Sequence, residues 1–281
     1  MLCDLHTHST FSDGTLTPTQ LAFQASAAGL GAVALCDHNT VNGLPEFVAA
    51  AQSANILPVP GIEFSTQWEE KELHILALFV RPEHYASIRQ RLDDFLKSKE
   101  QSNRDLISNL RKAKICLDYD RIAATVPFGN VNRAVIGREM VRLGYCASVQ
   151  EAFCRYLAPK MGYYTPAPKP GAWETVAFIH SMGCVAVLAH PLLTLTEPQL
   201  RRFLSQGSCL DAMEVYYSTY DAETTALAEK IAKEHGLLYS GGSDFHGENK
   251  PSIHLGKGQN NLSISMEVLS GLASVLKGKK K

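Results

Sequence analysis

Histidines and carboxylates recur at the ends of apolar segments of this chain, and both are common metal ligands. The first group, His6-Thr7-His8, closes an apolar run and is followed by Ser12-Asp13-Gly14. Residues i and i+2 of a strand face the same side, so both imidazoles can approach one cation. The turn after them can direct the Asp13 carboxylate to the same place. A His-x-His pair also occurs by chance, so the interpretation of this pair as metal ligands depends on its position at a strand end.

Further metal-competent side chains stand at other strand ends. Asp37-His38 directly follows the apolar run 32–36, and Gly61-Ile62-Glu63 ends another. The remaining groups are His74, Ala189-His190-Pro191 and Ser243-Asp244-Phe245-His246. Enzymes of the α/β classes carry their active-site residues at the carboxyl ends of parallel strands. Six of the 10 histidines fall at or beside such positions, which random placement would rarely give.

Together these groups supply nine nitrogen and oxygen donors and no thiolate. The donors are His6, His8, Asp13, His38, Glu63, His74, His190, Asp244 and His246. Such a set suits Zn, Mn or Fe rather than Ca²⁺ or a thiolate-bound structural zinc. Clustered dications need an anionic bridge, and we assign that role to Glu63. Because a metal-bound water is acidified toward hydroxide, the pattern predicts a hydrolase that binds two to three divalent ions.

The segments between these groups must position them, and they alternate between short apolar runs and helix-like stretches. This alternation is typical of βα units around a parallel sheet. Seven strands are predicted, over residues 2–6, 32–36, 57–64, 73–80, 185–189, 212–216 and 237–240. Several are apolar throughout, as expected of strands buried on both faces. Thr17-Pro18-Thr19-Gln20 predicts a helix start with a threonine cap and proline in the first turn.

From about residue 91 to residue 170 the strand pattern gives way to helical periodicity, and a proline-rich segment follows. Lys99 to Pro170 holds twelve Lys and Arg against six Asp and Glu, a local charge of +6. The remainder has fifteen against twenty-two, a local charge of −7. We therefore predict a metal-binding core over 1–95 and 171–281 with a mostly helical insertion over 96–170. A basic segment near a metal site attracts phosphorylated substrates.

Composition narrows the class of protein. The chain has 281 residues, of which 45% are hydrophobic and 20% charged, as is ordinary for a globular protein. No segment approaches the roughly 20 apolar residues of a membrane span. Seven cysteines without CxxC spacing and an N-terminus unlike a secretory signal favour a cytoplasmic protein. The net charge of −1 argues against a duplex DNA partner.

In order and spacing, these groups resemble the motifs of the PHP (polymerase and histidinol phosphatase) family, most closely its stand-alone nucleotide-phosphoesterase branch. The resemblance covers six motifs spread over nearly the whole chain. It implies an α/β fold, a distorted (β/α)7 TIM-like barrel with a trinuclear metal site. The implied ligand sets are His6, His8, Glu63 and Asp244 for one ion, Glu63, His74 and His190 for the second, and Asp13, His38 and His246 for the third. The residues predicted to take catalytic roles are Asp13, His38, Glu63 and His190.

The resemblance also implies that the insertion over 96–170 is a cap that covers the active site and contacts substrate phosphate. Asn132, Arg133 and Arg138 are the candidates, with Arg133 preferred. The alternative for both arginines is a solvated helix face. A related pattern has a histidine two residues after the first arginine, whereas this chain has Val135, so a contact that depends on that histidine is not expected.

The expected reaction is hydrolysis of a phosphate ester of a nucleotide. The substrate is either the 3′-phosphate of a nucleoside 3′,5′-bisphosphate or successive 5′ nucleotides of a short single-stranded RNA. A base could stack on Phe128, Tyr163 or Tyr164 of the cap. The alternatives are a histidinol-phosphate-type phosphomonoesterase, amidohydrolase chemistry and a non-catalytic RNA-binding module. An amidohydrolase would usually need a bridging lysine, and no predicted strand ends in one.

Overall fold

The computed structural model describes residues 1–126, 131–207 and 210–278, so Phe128 lies outside the described residues. Its centre is a sheet of seven strands that neighbour one another in chain order. The strands are β1 (Leu2–Asp4), β2 (Leu30–Leu35), β3 (Leu57–Trp68), β4 (Lys71–Leu78), β5 (Val185–Leu188), β6 (Ala212–Tyr217) and β7 (Leu238–Gly242). All seven predicted strands are present.

The sheet nearly closes into a barrel between its first and last strands. The Leu5 amide donates to the Gly241 carbonyl, and the Asp244 amide donates to the His6 carbonyl. A Cβ atom at Gly242 would lie 2.4 Å from the Cβ of His6, so glycine is needed where β7 approaches this segment. The barrel predicted from the sequence is confirmed.

Ten α-helices occur in the described ranges, and most connect strands across the outside of the barrel. They are α1 (Pro18–Ala27), α2 (Leu44–Ser53), α3 (Tyr85–Leu110), α4 (Tyr119–Ala123), α5 (Arg133–Arg142), α6 (Val149–Ala152), α7 (Ala172–Ser181), α8 (Glu197–Gln206), α9 (Ala222–Glu234) and α10 (Met266–Gly278). Thr17 and Gln20 form the predicted capping box of α1, and Pro18 opens the helix. None of these helices is long and apolar enough to cross a membrane.

Two strand pairs depart from the predicted parallel arrangement. β4 runs antiparallel to both β3 and β5. β3 continues to Trp68 and β4 begins at Lys71, so only two residues connect them. A parallel crossover needs a dozen or more residues, and so short a connection can form only a hairpin. The reversal matters for the site, because it brings His74, near the start of β4, beside the end of β3.

Apolar side chains form separate clusters in the barrel and in the insertion. Small residues such as Cys3, Ala32 and Ala34 fill the barrel interior, together with Leu269 and Leu272 of α10. The insertion has its own cluster of buried residues, which includes Leu106, Ile107, Leu110, Ile115, Leu117, Ile122, Val135, Ile136, Met140 and Leu157. This separate core supports the proposed cap over 96–170.

Helix α3 belongs to both clusters. Its residues Ile88, Leu92 and Phe95 pack with the barrel, whereas Leu106 and Leu110 pack inside the insertion. A continuous helix of 26 residues therefore joins the two parts. Because a helix resists bending between its turns, α3 fixes where the insertion lies relative to the strand ends.

Candidate metal centre

All nine predicted ligands meet at one end of the barrel. Their donor atoms form four overlapping groups, within each of which the atoms lie within 4.8 Å of one another. The groups are His8, Asp13, His38 and His246; His6, Glu63 and His190; His6, His8 and Asp244; and His38, Glu63 and His74. Two groups contain most or all of an implied set, His6, His8 and Asp244 in one and Asp13, His38 and His246 in another, whereas His74 and His190 of the implied second set fall in different groups. Their role as ligands remains a prediction.

Glu63 lies at the centre of the cluster and is almost fully buried. Its Oε1 atom lies 2.8 Å from Nδ1 of His74 and 3.1 Å from Nε2 of His190. Its Oε2 atom lies within 3.3 Å of a ring nitrogen of each of three further histidines, namely His6, His8 and His38. A carboxylate placed in this way can bridge two cations through its two oxygens.

Asp13 and Asp244 flank this centre. The Oδ1 atom of Asp13 lies 3.2 Å from Nε2 of His246, and its Oδ2 atom lies 3.8 Å from Nε2 of His38. The Oδ1 atom of Asp244 lies 3.2 Å from Nε2 of His8. The turn after His8 therefore does direct Asp13 toward the imidazoles.

Several of these buried donor atoms fit a cation better than a hydrogen bond. Asp13 Oδ1, His38 Nδ1 and Glu63 Oε2 are buried and have no hydrogen-bond partner. Buried polar atoms are nearly always satisfied in native proteins. All three face other nitrogen or oxygen donors at 3–4 Å, so divalent ions bound in the cluster would satisfy them.

The charges of the cluster also favour a cation. Burial lowers the pKa of the His8 and His74 imidazoles, but nearby carboxylates outweigh it and raise the pKa of His8 to about 9 and of His74 to about 10. Burial raises the pKa of Glu63, yet the surrounding histidines hold it well below its usual range. Ionised carboxylates that attract protons to imidazoles attract a metal ion for the same reason.

His38 differs from the other imidazoles. Burial lowers the pKa of His38 to about 3, in spite of the Glu63 and Asp13 carboxylates nearby. A neutral imidazole keeps a lone pair on one ring nitrogen, which is the form that binds metal.

Two buried aspartates hold the loops that carry these ligands. Asp37 accepts hydrogen bonds from the amide and hydroxyl of Ser9 at 2.8 and 2.6 Å, and from the hydroxyl of Ser12 at 2.5 Å. Asp4 accepts from the amide and hydroxyl of Ser243 at 2.8 and 2.5 Å. Asp37 therefore fixes the turn that presents Asp13, and Asp4 fixes the segment that presents Asp244.

Sequence reasoning missed three other residues beside the ligands. Tyr217 Oη and Lys250 Nζ donate to Asp244 Oδ2 at 2.7 and 2.6 Å, which leaves Asp244 Oδ1 directed at the histidines. Glu214 contacts both His6 and His190. Glu214 stands within an otherwise apolar predicted strand, and an acid in such a strand is the signal that could have identified it.

The three cap residues predicted to bind phosphate, Asn132, Arg133 and Arg138, differ in the contacts that their side chains make. Asn132 Oδ1 accepts from the Val135 amide and caps α5, while its Nδ2 donates to Asp13 Oδ2 at 3.1 Å. The Arg133 guanidinium lies 4.5 Å from the ring centroid of Tyr164 and donates to the Leu157 carbonyl. Nη1 of Arg138 is buried without a hydrogen-bond partner.

A cleft lies between the cap and the cluster. Asp13, His38 and His74 lie on its barrel side. Its cap side carries three cations, Lys99, Arg133 and Lys169, and two aromatic residues, Phe153 and Tyr164, and Phe95, which packs with the barrel, also lines the cleft. Of the aromatics proposed for stacking, Tyr164 lines the cleft, whereas Tyr163 is not among the lining residues. Val135 is buried in the cap core and does not line the cleft.

Known proteins resemble this chain in both sequence and structure. Residues 4–152 match the PHP domain. A 5′-3′ exoribonuclease of Haemophilus influenzae is 33% identical over 250 residues, which cover 86% of this chain and 89% of the relative. A 3′,5′-nucleoside bisphosphate phosphatase of Chromobacterium violaceum is 30% identical over 250 residues, or 86% of each chain. A solved structure from Bifidobacterium adolescentis, assigned as a metal-dependent phosphoesterase, is 28% identical, aligns with a TM-score of 0.86 and covers 97% of this chain and 96% of its own.

Proposed function

Because this chain belongs to the PHP domain family, we propose that it is a metal-dependent phosphoesterase that hydrolyses a phosphate ester of a nucleotide. One observation carries the proposal: nine nitrogen and oxygen donors converge at one end of the barrel, and three of them, Asp13, His38 and His74, line a cleft whose cap side bears three cations. The substrate is the 3′-phosphate of a nucleoside 3′,5′-bisphosphate, or the 5′-terminal nucleotides of a short single-stranded RNA. Named relatives of both kinds support these two choices.

The cluster would hold two to three divalent ions, with Mn, Fe and Zn as the candidates. His6, His8 and Asp244 would hold one ion, and His74 and His190 the next, with Glu63 between them. Asp13, His38 and His246 would hold a third. When bound, such ions supply an acidified water and polarise phosphoryl oxygens. The donor set lacks the all-oxygen character that Ca²⁺ and Mg²⁺ prefer.

The cap side of the cleft would bind and orient the substrate. Arg133, Lys99 and Lys169 face the cluster across the cleft and can hold phosphate oxygens with charge-assisted hydrogen bonds. Tyr164 packs against the Arg133 guanidinium and limits its rotation. Cations fixed in this way stabilise the negative charge that builds up on the phosphoryl oxygens during attack.

Glu72 would modify the charge of the same cleft, and Asn132 would connect its two sides. The Glu72 carboxylate lies 3.3 Å from Nζ of Lys169 and 3.6 Å from Nε2 of His74. Burial raises the pKa of Glu72, but His74 and Lys169 lower it to about 2, so this carboxylate is ionised at neutral pH. It partly offsets the positive charge of the cleft and holds Lys169 over the cluster. Asn132 links the cap directly to Asp13.

A substrate comparison tests the proposed reaction. The chain is loaded with Mn²⁺, and products are followed for a nucleoside 3′,5′-bisphosphate, a short 5′-phosphorylated RNA and histidinol phosphate. We expect turnover of the first or second and not of the third, since three cations suit a substrate with more than one phosphate. A preference for histidinol phosphate of about tenfold or more in kcat/KM would favour the small-molecule phosphomonoesterase instead.

Replacing Arg133 by methionine tests the cap contact. The change keeps an unbranched side chain but removes the guanidinium and its charge, and we expect kcat/KM for the nucleotide to fall roughly 100-fold. Arg142→Met on the same helix is the matched control, because Arg142 is exposed and pairs with Glu139 at 2.6 Å. Equal losses in both variants would show that Arg133 acts only through the fold of α5.

A further inference from the structure

Glu214 is a fully buried carboxylate in the middle of β6, and both of its oxygens are occupied. Oε1 lies 2.9 Å from Nδ1 of His6, and Oε2 accepts a hydrogen bond from the His190 amide at 2.7 Å. No lysine or arginine of the described residues forms an ion pair with it. A buried carboxylate is costly unless its oxygens are paired, and here both pairing residues are predicted metal ligands.

The contact with His6 determines which ring nitrogen is free. Because Nδ1 faces a carboxylate acceptor, Nδ1 carries the proton and Nε2 carries a lone pair. Nε2 is the atom directed into the cluster, 3.3 Å from Glu63 Oε2 and 3.1 Å from Nε2 of His8. The Glu214 carboxylate thus holds the His6 ring in the tautomer and orientation that a metal ligand needs.

The contact with His190 acts on the backbone. His190 has φ 30° and ψ 50°, in the left-handed region, and it directly precedes Pro191. Residues other than glycine rarely adopt that region, and the residue before a proline normally takes an extended conformation. The hydrogen bond from the His190 amide to Glu214 opposes relaxation of this turn. Relaxation would carry the imidazole away from Glu63, which now lies 3.1 Å from it.

We propose that Glu214 is a positioning residue that joins two metal ligands from distant parts of the chain, His6 by its ring and His190 by its backbone. The two imidazoles stack with their centroids 5.8 Å apart, and the single carboxylate behind them keeps that arrangement. The inference rests on the proposed metal centre and deepens it. It predicts that metal affinity depends on a residue that touches no metal.

Glu214→Gln is the test. The amide has one oxygen to accept from two donors, and its NH₂ group would face another N–H. We expect the dissociation constant for Mn²⁺, measured by equilibrium dialysis and metal analysis, to rise about 10- to 100-fold, and activity to return at high Mn²⁺. If Glu214→Gln does not fold, Glu214→Asp is measured in the same way, since the shorter carboxylate cannot reach both partners.

Asp211→Asn is the matched control. Asp211 precedes β6, at the opposite end of that strand from its carboxyl end, and it also joins an imidazole to a backbone amide, namely His180 Nε2 at 2.9 Å and the Ala186 amide at 2.8 Å. We expect wild-type Mn²⁺ affinity in this variant. Unchanged affinity in Glu214→Gln, or equal losses in both variants, would overturn the inference. Failure of the wild-type chain to bind Mn²⁺ would overturn the proposed metal centre and this inference with it.

Discussion

Replacing Glu63 by glutamine is expected to lower kcat/KM by roughly 10³-fold or more and to reduce the number of bound metal ions. The two Glu63 oxygens face ring nitrogens of five histidines at 2.8–3.3 Å, more than any other residue of the cluster contacts. Glutamine has nearly the same shape but no charge. Its NH₂ group cannot coordinate a cation, and without the negative charge the repulsion between two neighbouring dications is no longer offset.

The measurement combines steady-state kinetics with metal analysis of the same preparation. Glu229→Gln is the matched control, because Glu229 lies on α9 outside the barrel and accepts a hydrogen bond from Tyr216. We expect wild-type kinetics and metal content in that variant. A loss smaller than about tenfold in Glu63→Gln would rule out the bridging role assigned to Glu63.

The convergence of the cluster could be predicted because strand ends share one edge of a barrel. His6, His38 and His190 each follow an apolar strand, so their meeting depends only on strand direction and order. Asp13 needed one more step, a turn held by Asp37, and the sequence contains that turn as Ser12-Asp13-Gly14. The local sequence pattern places each of these side chains at a strand end or in the turn that follows it, and closure of the barrel brings the strand ends together.

His74 reached the cluster by a route that the sequence reasoning did not foresee. A residue near the start of a parallel strand would lie at the wrong end of the barrel. The strand limits predicted from apolar runs left eight residues between β3 and β4. A connection of that length does not by itself indicate a tight hairpin, so the antiparallel pairing was not predicted. β3 extends through the polar residues Thr66, which is buried, and Gln67, which is exposed, because both pair with β4 in the antiparallel ladder.

The cap contacts could be predicted least. Lys99 and Lys169 line the cleft, but nothing in their local spacing distinguishes them from solvated lysines. Their position depends on how α3 and the proline-rich return segment pack, which is a tertiary effect. Asn132 illustrates the same limit, since both groups of its amide are engaged by the α5 cap and by Asp13. The charge of the insertion, by contrast, could be read directly from composition and agrees with the cations lining the cleft.

Removing bound metal with a chelator is expected to abolish phosphoesterase activity and to lower the melting temperature. At the cluster, buried carboxylates and imidazoles face one another at 3–4 Å, and a cation relieves both their charge and their missing hydrogen bonds. A ligand at 100 times its dissociation constant stabilises the native state by about 2.7 kcal/mol. For a chain of this size that corresponds to a rise of roughly 5 °C in Tm for each such site.

Adding back ions to the chelated protein separates metal chemistry from a general effect of salt. We expect Mn²⁺ to restore both activity and Tm and Ca²⁺ to restore neither, because six of the nine donors are imidazole nitrogens, which Ca²⁺ does not favour. Calorimetry and phosphate release on the same samples give the two readouts. Glu63→Gln should show a smaller Tm response to Mn²⁺ than Glu229→Gln, since only the former loses a donor. Full activity after chelation, with metal analysis showing far less than one ion per chain, would contradict a metal-dependent mechanism and leave the nine converging donors without a catalytic role.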